Sequence, residues 1–246
     1  LDWVEEYKKV NERPSLNANI FSDVLLPVPP VDVQQKIVEE CKVFNDEYLK
    51  LYEQQQQNEQ EIRRLFDEAQ KKARHEYRLS TESDFEIGIG KRVVQSELDE
   101  KGKMLVYSAN IYEPVGKITR EGILKDYNVP SVLWGIDGDW MVNFIEAKIP
   151  FYPTDHCGYI RVKNSQINPE YFSMVLEAEG FKVEFDRTNR ASIERISALL
   201  IEVPDISIQD DVVAKCRKYK DELVMIKEKK KKVLLKKESV FDSYIK

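Results

Sequence analysis

Soft metal ligands are scarce here: the 246 residues include only two histidines and three cysteines. Cys41, Cys157 and Cys216 are odd in number and form no CxxC pair, which argues against a disulfide framework and against a zinc knuckle. His75 and His156 alone make a His-rich metal site untenable, so no metal and no cofactor are expected. Long apolar runs are absent too. None approaches the roughly 18 residues of a membrane span, and the opening LDWVEEYKKV lacks the basic-then-apolar layout of a signal peptide. A cytoplasmic protein with no membrane partner is expected, and the first residue, Leu1, leads us to expect a piece of a longer polypeptide. There is no general excess of positive charge: the net charge is −6, which ordinarily counts against a nucleic-acid binder. The charge is uneven, however. Lys and Arg number 12 against 18 Asp and Glu over residues 1–84, 13 against 16 over 85–190, and 13 against 10 over 191–246. Contact with a polyanion must therefore be local.

What the chain does have is an internal repeat. Phe21–Lys71 matches Ile196–Lys246 without gaps at an offset of 175 residues, pairing Pro29 with Pro204, Gln34 with Gln209, Cys41 with Cys216, Asp46 with Asp221, and Phe66-Asp67 with Phe241-Asp242. In each copy an apolar, strand-like run ends at proline and a long series of helix formers follows, as at a Pro-marked helix start. The helices carry heptads. Ile37, Cys41, Phe44, Tyr48, Leu51, Gln55, Asn58, Ile62, Leu65 and Ala69 recur at alternating spacings of four and three; Val212, Cys216, Tyr219, Leu223, Ile226, Lys230, Val233, Lys237, Val240 and Tyr244 do the same. This predicts two helices of about 40 residues, roughly 60 Å each, packed as an antiparallel coiled coil. Gln55, Asn58, Lys230 and Lys237 would then form polar layers that fix register at some cost in stability. The QQQQ tract and the KEKKKK run read as solvated helix faces, with no DNA site assigned to them.

Between the helices the pattern changes to short β-type runs broken by Gly, Pro, Asn and Asp: MLVYSANIY, PSVLWGI, WMVNFI, IPFYP and GYIRV. A helix is expected over Pro169–Gly180, with a start signal at Asn168-Pro169 and a terminal glycine. The fold class is α+β: a globular domain flanked by two long helices. The expected divisions are residues 1–20, 21–78 (first helical repeat), 79–195 (globular domain) and 196–246 (second helical repeat).

The order of strand, proline, Gln-containing helix start, long helix, globular domain and repeated helix resembles the specificity subunits of Type I restriction–modification systems. The phrases that carry the match are LPVPPVDVQQKIVE, VYSANIYEPVGKI, SVLWGIDGDW, FYPTDHCGYIRV and FDRTNRASIERISALLIEVP. The resemblance implies that residues 79–195 are a target recognition domain reading one half of a split target in double-stranded DNA. It implies that the helices set the separation of the halves and dock methyltransferase (modification) subunits, with a restriction (endonuclease) subunit as a further partner. The family pattern has two recognition domains, and residues 1–20 look like the tail of an earlier one. That leaves open a truncated two-domain subunit and a one-domain form that restores the pair as a homodimer.

Base reading needs side chains with fixed donors and acceptors, while Lys, Ser and Thr position phosphates. The expected DNA-binding set is Lys91 and Arg92 after a flexible GIG, Ser108 and Asn110 in YSANIY, Lys117 and Arg120, His156, and Arg187 and Arg190 in FDRTNR. Two catalytic readings compete with it. Thr154-Asp155-His156-Cys157 suggests an activated thiol, but neighbouring strand residues point to opposite faces, so Cys157 should pack inward with Thr154 and Asp155 shaping a turn. Asp126 or Asp137 with Glu146-Ala147-Lys148 mimics a metal-dependent nuclease, yet Asp137 sits in an IDGDW turn that needs Asp and Gly for backbone reasons. No Asn/Asp-Pro-Pro-aromatic methyltransferase motif occurs, since Pro29-Pro30 is flanked by Val28 and Val31. No catalytic residue is assigned. The alternatives to a non-catalytic recognition subunit are the specificity region of a fused restriction or modification enzyme and a coiled-coil scaffold that binds only protein.

Overall fold

The structure is a computed structural model that describes residues 28–245. The expected tail over residues 1–20, and the strand-like run before Val28, lie outside the described residues. The element order is α1 (Val31–Gln70), β1 (His75–Arg78), β2 (Phe85–Ile89), a 3₁₀ turn at Gln95–Glu97, β3 (Met104–Tyr107), β4 (Gly116–Ile118), β5 (Ser131–Gly135), β6 (Val142–Ile145), β7 (Phe151–Pro153), β8 (Cys157–Val162), α2 (Pro169–Lys182), α3 (Ile193–Ser197), β9 (Leu200–Val203) and α4 (Ile206–Ile245). The chain divides into two units, one of residues 1–54 with 226–246 and one of residues 55–225.

In the first unit the two heptad series meet. Leu51, Ile226 and Val233 are buried together, with Phe44 and Tyr48 packed against them. Lys237 Nζ donates to Asn45 Oδ1 at 2.9 Å, and the Tyr244 hydroxyl donates to Glu40 at 2.6 Å. Low numbers on one helix thus face high numbers on the other, so the pair is antiparallel. Lys230 lies in the expected polar layer, its ammonium 4.7 Å from the Tyr48 ring centre and 5.2 Å from that of Tyr52, close enough for a cation–π attraction. Every position of both heptad series, across both units, is buried or half-buried.

The repeat also extends to its caps. Gln34 Nε2 donates to the Pro29 carbonyl and Gln209 Nε2 to the Pro204 carbonyl, each at 2.7 Å. The same side chain satisfies the same backbone acceptor ahead of each helix, which explains why a glutamine follows the proline by five residues in both copies.

The second unit is layered. An antiparallel sheet runs in the order β2-β8-β5-β6, and a smaller sheet in the order β4-β3-β7; β1 and β9 pair separately. Successive residues of a strand point to opposite faces, so Trp134 and Ile160 enter one core while Leu133 and Cys157 enter another. The first core packs the larger sheet on Tyr171, Phe172, Val175 and Leu176 of α2 and on Val212, Val213 and Cys216 of α4. The second lies between the sheets, where Leu133, Ile145 and Cys157 meet Tyr107 and Phe151. The sheet is covered on both sides, which is why all five residues of β5 are buried.

Helix α2 starts as its sequence requires: Asn168 Oδ1 accepts from the Glu170 and Tyr171 amides at 2.9 and 3.1 Å, with Pro169 at the first helical position. Its end corrects the expectation. The helix continues past Gly180 to Lys182, because Gly180 is there to make room: the space a Cβ would need is filled by the Trp140 indole. The left-handed residue that closes the helix is Glu184 at φ 56°. Its amide donates to the Phe181 carbonyl, and that of Phe185 to Gly180, both at 3.1 Å, the paired bonds of a Schellman motif.

Candidate nucleic-acid interface

The GIG segment ahead of Lys91 is a strand end rather than a flexible loop. Gly88 lies in β2 against the Tyr159 ring, and the place of a Gly90 Cβ is occupied by the Pro153 carbonyl. The glycines serve close approach, so Lys91 and Arg92 leave a fixed point. The Lys91 amide donates to the Pro153 carbonyl at 3.2 Å, and both side chains are exposed. Arg120 joins this corner: its guanidinium stacks 4.6 Å from the Tyr152 ring centre, bonds the Tyr152 hydroxyl, and donates to Glu97 at 2.6 Å. Its side chain is one-third exposed. Lys117 on β4 and Asn110 are exposed, and Asn110 Oδ1 accepts from the Tyr112 amide at 3.1 Å, closing a turn.

The turn between β7 and β8 brings several candidates together. Thr154, itself buried, donates from its hydroxyl to Ser108 Oγ at 3.1 Å, and the same oxygen accepts from the His156 amide at 3.2 Å. His156 points outward, half exposed. Cys157 next to it is fully buried between the sheets, and burial pushes its thiol well above the ordinary range. Its place in the core between the sheets bears out the inward reading of Cys157.

His156 Nδ1 bonds Asp137 Oδ2, and Arg190 Nε forms an ion pair with Asp137 Oδ1. Arg187 lies 3.7 Å from Asp139, both well exposed. Three candidates from two distant segments thus gather at the IDGDW turn. Partial burial works against the charge of Asp137, and the His156 and Arg190 contacts outweigh it, holding the carboxyl below its usual range. Sequence alone offers Asp137 as a turn residue or as part of a nuclease-like set; its contacts with His156 and Arg190, 19 and 53 positions away, carry no sequence signal. Asp126 is likewise taken up by an arginine, 3.1 Å from Arg161. Among the described residues no group of three or more His, Cys, Asp or Glu is placed to hold a metal ion.

A groove of about 930 Å³, lined by Phe66, Tyr112, Met174, Glu177, Phe181 and Lys220 among others, contains none of the expected DNA set.

A family model described as the Type I restriction modification DNA specificity domain matches residues 84–236. The chain belongs to that family. No curated protein matches it, but solved structures share its fold. The S subunit of a Type I restriction–modification system from M. genitalium aligns at 16% identity and a TM-score of 0.61, over 88% of this chain and 61% of that one. The HsdS subunit from Thermoanaerobacter tengcongensis aligns at 14% identity and 0.50, over 99% and 67%. A chain from a study of complex assembly and conformational transition in the type I R-M system gives 13% and 0.50 over the same shares. This specificity-domain chain therefore spans about three-fifths of the length of the M. genitalium subunit. Its matched segment starts just before β2 and runs well into α4. No helix among the described residues is long and apolar enough to cross a membrane.

Proposed function

We propose that this chain is the sequence-recognition subunit of a Type I restriction–modification enzyme, cytoplasmic and itself non-catalytic. Its layered unit reads one half of a bipartite target in double-stranded DNA. Its paired helices dock methyltransferase (modification) subunits and, with them, a restriction (endonuclease) subunit. The observation that carries the reading is the specificity-domain match over residues 84–236. Support comes from the exposed polar side chains of that unit, on its loops at Lys91, Arg92, Asn110, His156, Arg187 and Arg190 and on β4 at Lys117. Ser108 and Arg120 stand behind them, bonded to Thr154 and Tyr152, where they shape the surface and contribute polar atoms at its edge. Groove contacts of this kind supply both phosphate positioning and base readout.

The reading is tested by mapping methylated adenines in cells that carry this chain with its methyltransferase. A split consensus is expected, one half of which changes when residues 79–195 are exchanged for those of another member of the family. Methylation that ignores the exchange would overturn it.

A further inference from the structure

Asp137 does more in this structure than hold a turn. Its carboxylate forms an ion pair with Arg190 through one oxygen and bonds His156 through the other. It is only about a quarter exposed, whereas Arg190 and His156 are more than half exposed. The arrangement leaves the ends of both basic side chains facing outward. The ion pair with Asp137 runs through Arg190 Nε, and no hydrogen bond joins the two terminal guanidinium nitrogens to another described residue; His156 Nε2 lies 3.9 Å from Asp155 Oδ1, a second ion-pair contact.

The backbone under this trio is fixed from three directions. The buried Trp134 indole donates to the Ala191 carbonyl at 2.8 Å, one residue after Arg190. The Ile136 amide, one residue before Asp137, donates to the His156 carbonyl at 3.0 Å. The loop that carries Arg190 is closed on itself: Asp186 Oδ1 accepts from the Thr188 and Asn189 amides at 2.7 Å each, and Asn189 Nδ2 donates to the Val183 carbonyl at 2.8 Å. Gly138, at φ 99°, lets the intervening turn reverse with no side chain in the way.

An arginine that only neutralises phosphate needs no such mounting, because its charge acts at many orientations. An arginine that reads a base does, since the guanidinium fork must meet the O6 and N7 acceptors of guanine in one plane. We infer that Asp137 is the positioning residue of a base-reading unit in which Arg190, aligned by that carboxylate beside His156, recognises guanine in one G·C pair of the target. This rests on the DNA-recognition reading above. It adds which residue reads, which residue aims it, and which base is read.

The test is selection of bound duplexes from a library randomised over the target length, using the full chain assembled with its methyltransferase subunits. Wild type and two variants, Asp137→Asn and Asp137→Glu, are compared, with thermal melting of each. The expected result is a wild-type motif containing a strong G·C position. Asp137→Asn should lose roughly tenfold or more of the preference at that position alone. The other positions and the salt dependence of binding, which reports phosphate contacts, should stay as they were, and Asp137→Glu should restore part of the preference. An identical motif from Asp137→Asn would overturn the inference. So would a uniform weakening of all positions with a lowered melting temperature, the mark of a merely structural role. A wild-type chain that enriches no motif would instead bring down the DNA-recognition reading itself.

Discussion

In the unit of residues 1–54 with 226–246, the buried residues of the two long helices are heptad positions alone among the described residues. Leu51, Ile226 and Val233 are buried, while Leu49, Tyr52, Leu234 and Leu235, one or two residues away, are 45–56% exposed. In the layered unit five consecutive residues of β5 are buried, and Trp134 and Leu133 serve different cores although they are neighbours. The first region is a one-dimensional seam, in which polar layers at Asn58, Lys230 and Lys237 are tolerated. The second is fixed in three dimensions, which is what lets the loops on its rim hold side chains in set directions.

The sharpest test of that contrast removes Trp134. Trp134→Ala deletes the largest fully buried side chain and the bond to Ala191, and should cost about 3–5 kcal/mol, with loss of any sequence preference set by the 183–192 loop. Chemical denaturation of the variant measures the first and library selection the second. The matching change in the seam, Ile226→Ala, should cost less, about 2 kcal/mol, at the low end for a buried isoleucine, because exposed neighbours leave little cavity to maintain. Denaturation followed by circular dichroism should show it. A loss as large as that at Trp134 would erase the distinction between seam and core.

Smaller effects sharpen the picture at the α2 side of the layered unit. Glu184→Gly relieves a left-handed residue at the helix end and should stabilise by about 1 kcal/mol, visible as a raised melting temperature. Burial raises the carboxyl pKa of Glu177, with Lys220 and Tyr112 only partly opposing it. A raised carboxyl pKa means the folded state favours the protonated form, so the residue costs stability above that pKa and the cost vanishes below the unfolded value. Glu177→Gln should therefore raise the melting temperature at pH 7 and leave it unchanged near pH 3. A gain of equal size at both pH values would assign the effect to packing instead.

The helices were legible because their signal is periodic: Ile37 through Ala69 and Val212 through Tyr244 announce one face each, and all of those positions are covered. The strands MLVY, SVLWG, VNFI, FYP and CGYIRV were legible as apolar runs between breakers. Gly180 and Gly90 misled, since a glycine that makes room for Trp140 or for the Pro153 carbonyl looks the same in sequence as one that ends a helix or loosens a loop. The partnership of Asp137 with His156 and Arg190 could not be read, because residues 19 and 53 positions away meet only through the fold. His156, Arg187 and Arg190 themselves were named from residue type; that they share one turn is structural knowledge.

The central claim is that the layered unit sets the sequence read and the helices set only distance. It is tested most directly by inserting one heptad between Asn58 and Glu59 and a second between Asp221 and Glu222. Asn58 Nδ2 donates to Glu222 at 3.0 Å, so the two insertions lie opposite each other and the seam keeps its register. Each helix gains about 10 Å, or about three base pairs of duplex. The measurement is the methylated consensus in cells carrying the lengthened chain with its methyltransferase. The account predicts unchanged half-sites with the unread interval longer by about three base pairs. A changed half-site, or an active lengthened chain with an unchanged interval, would contradict it.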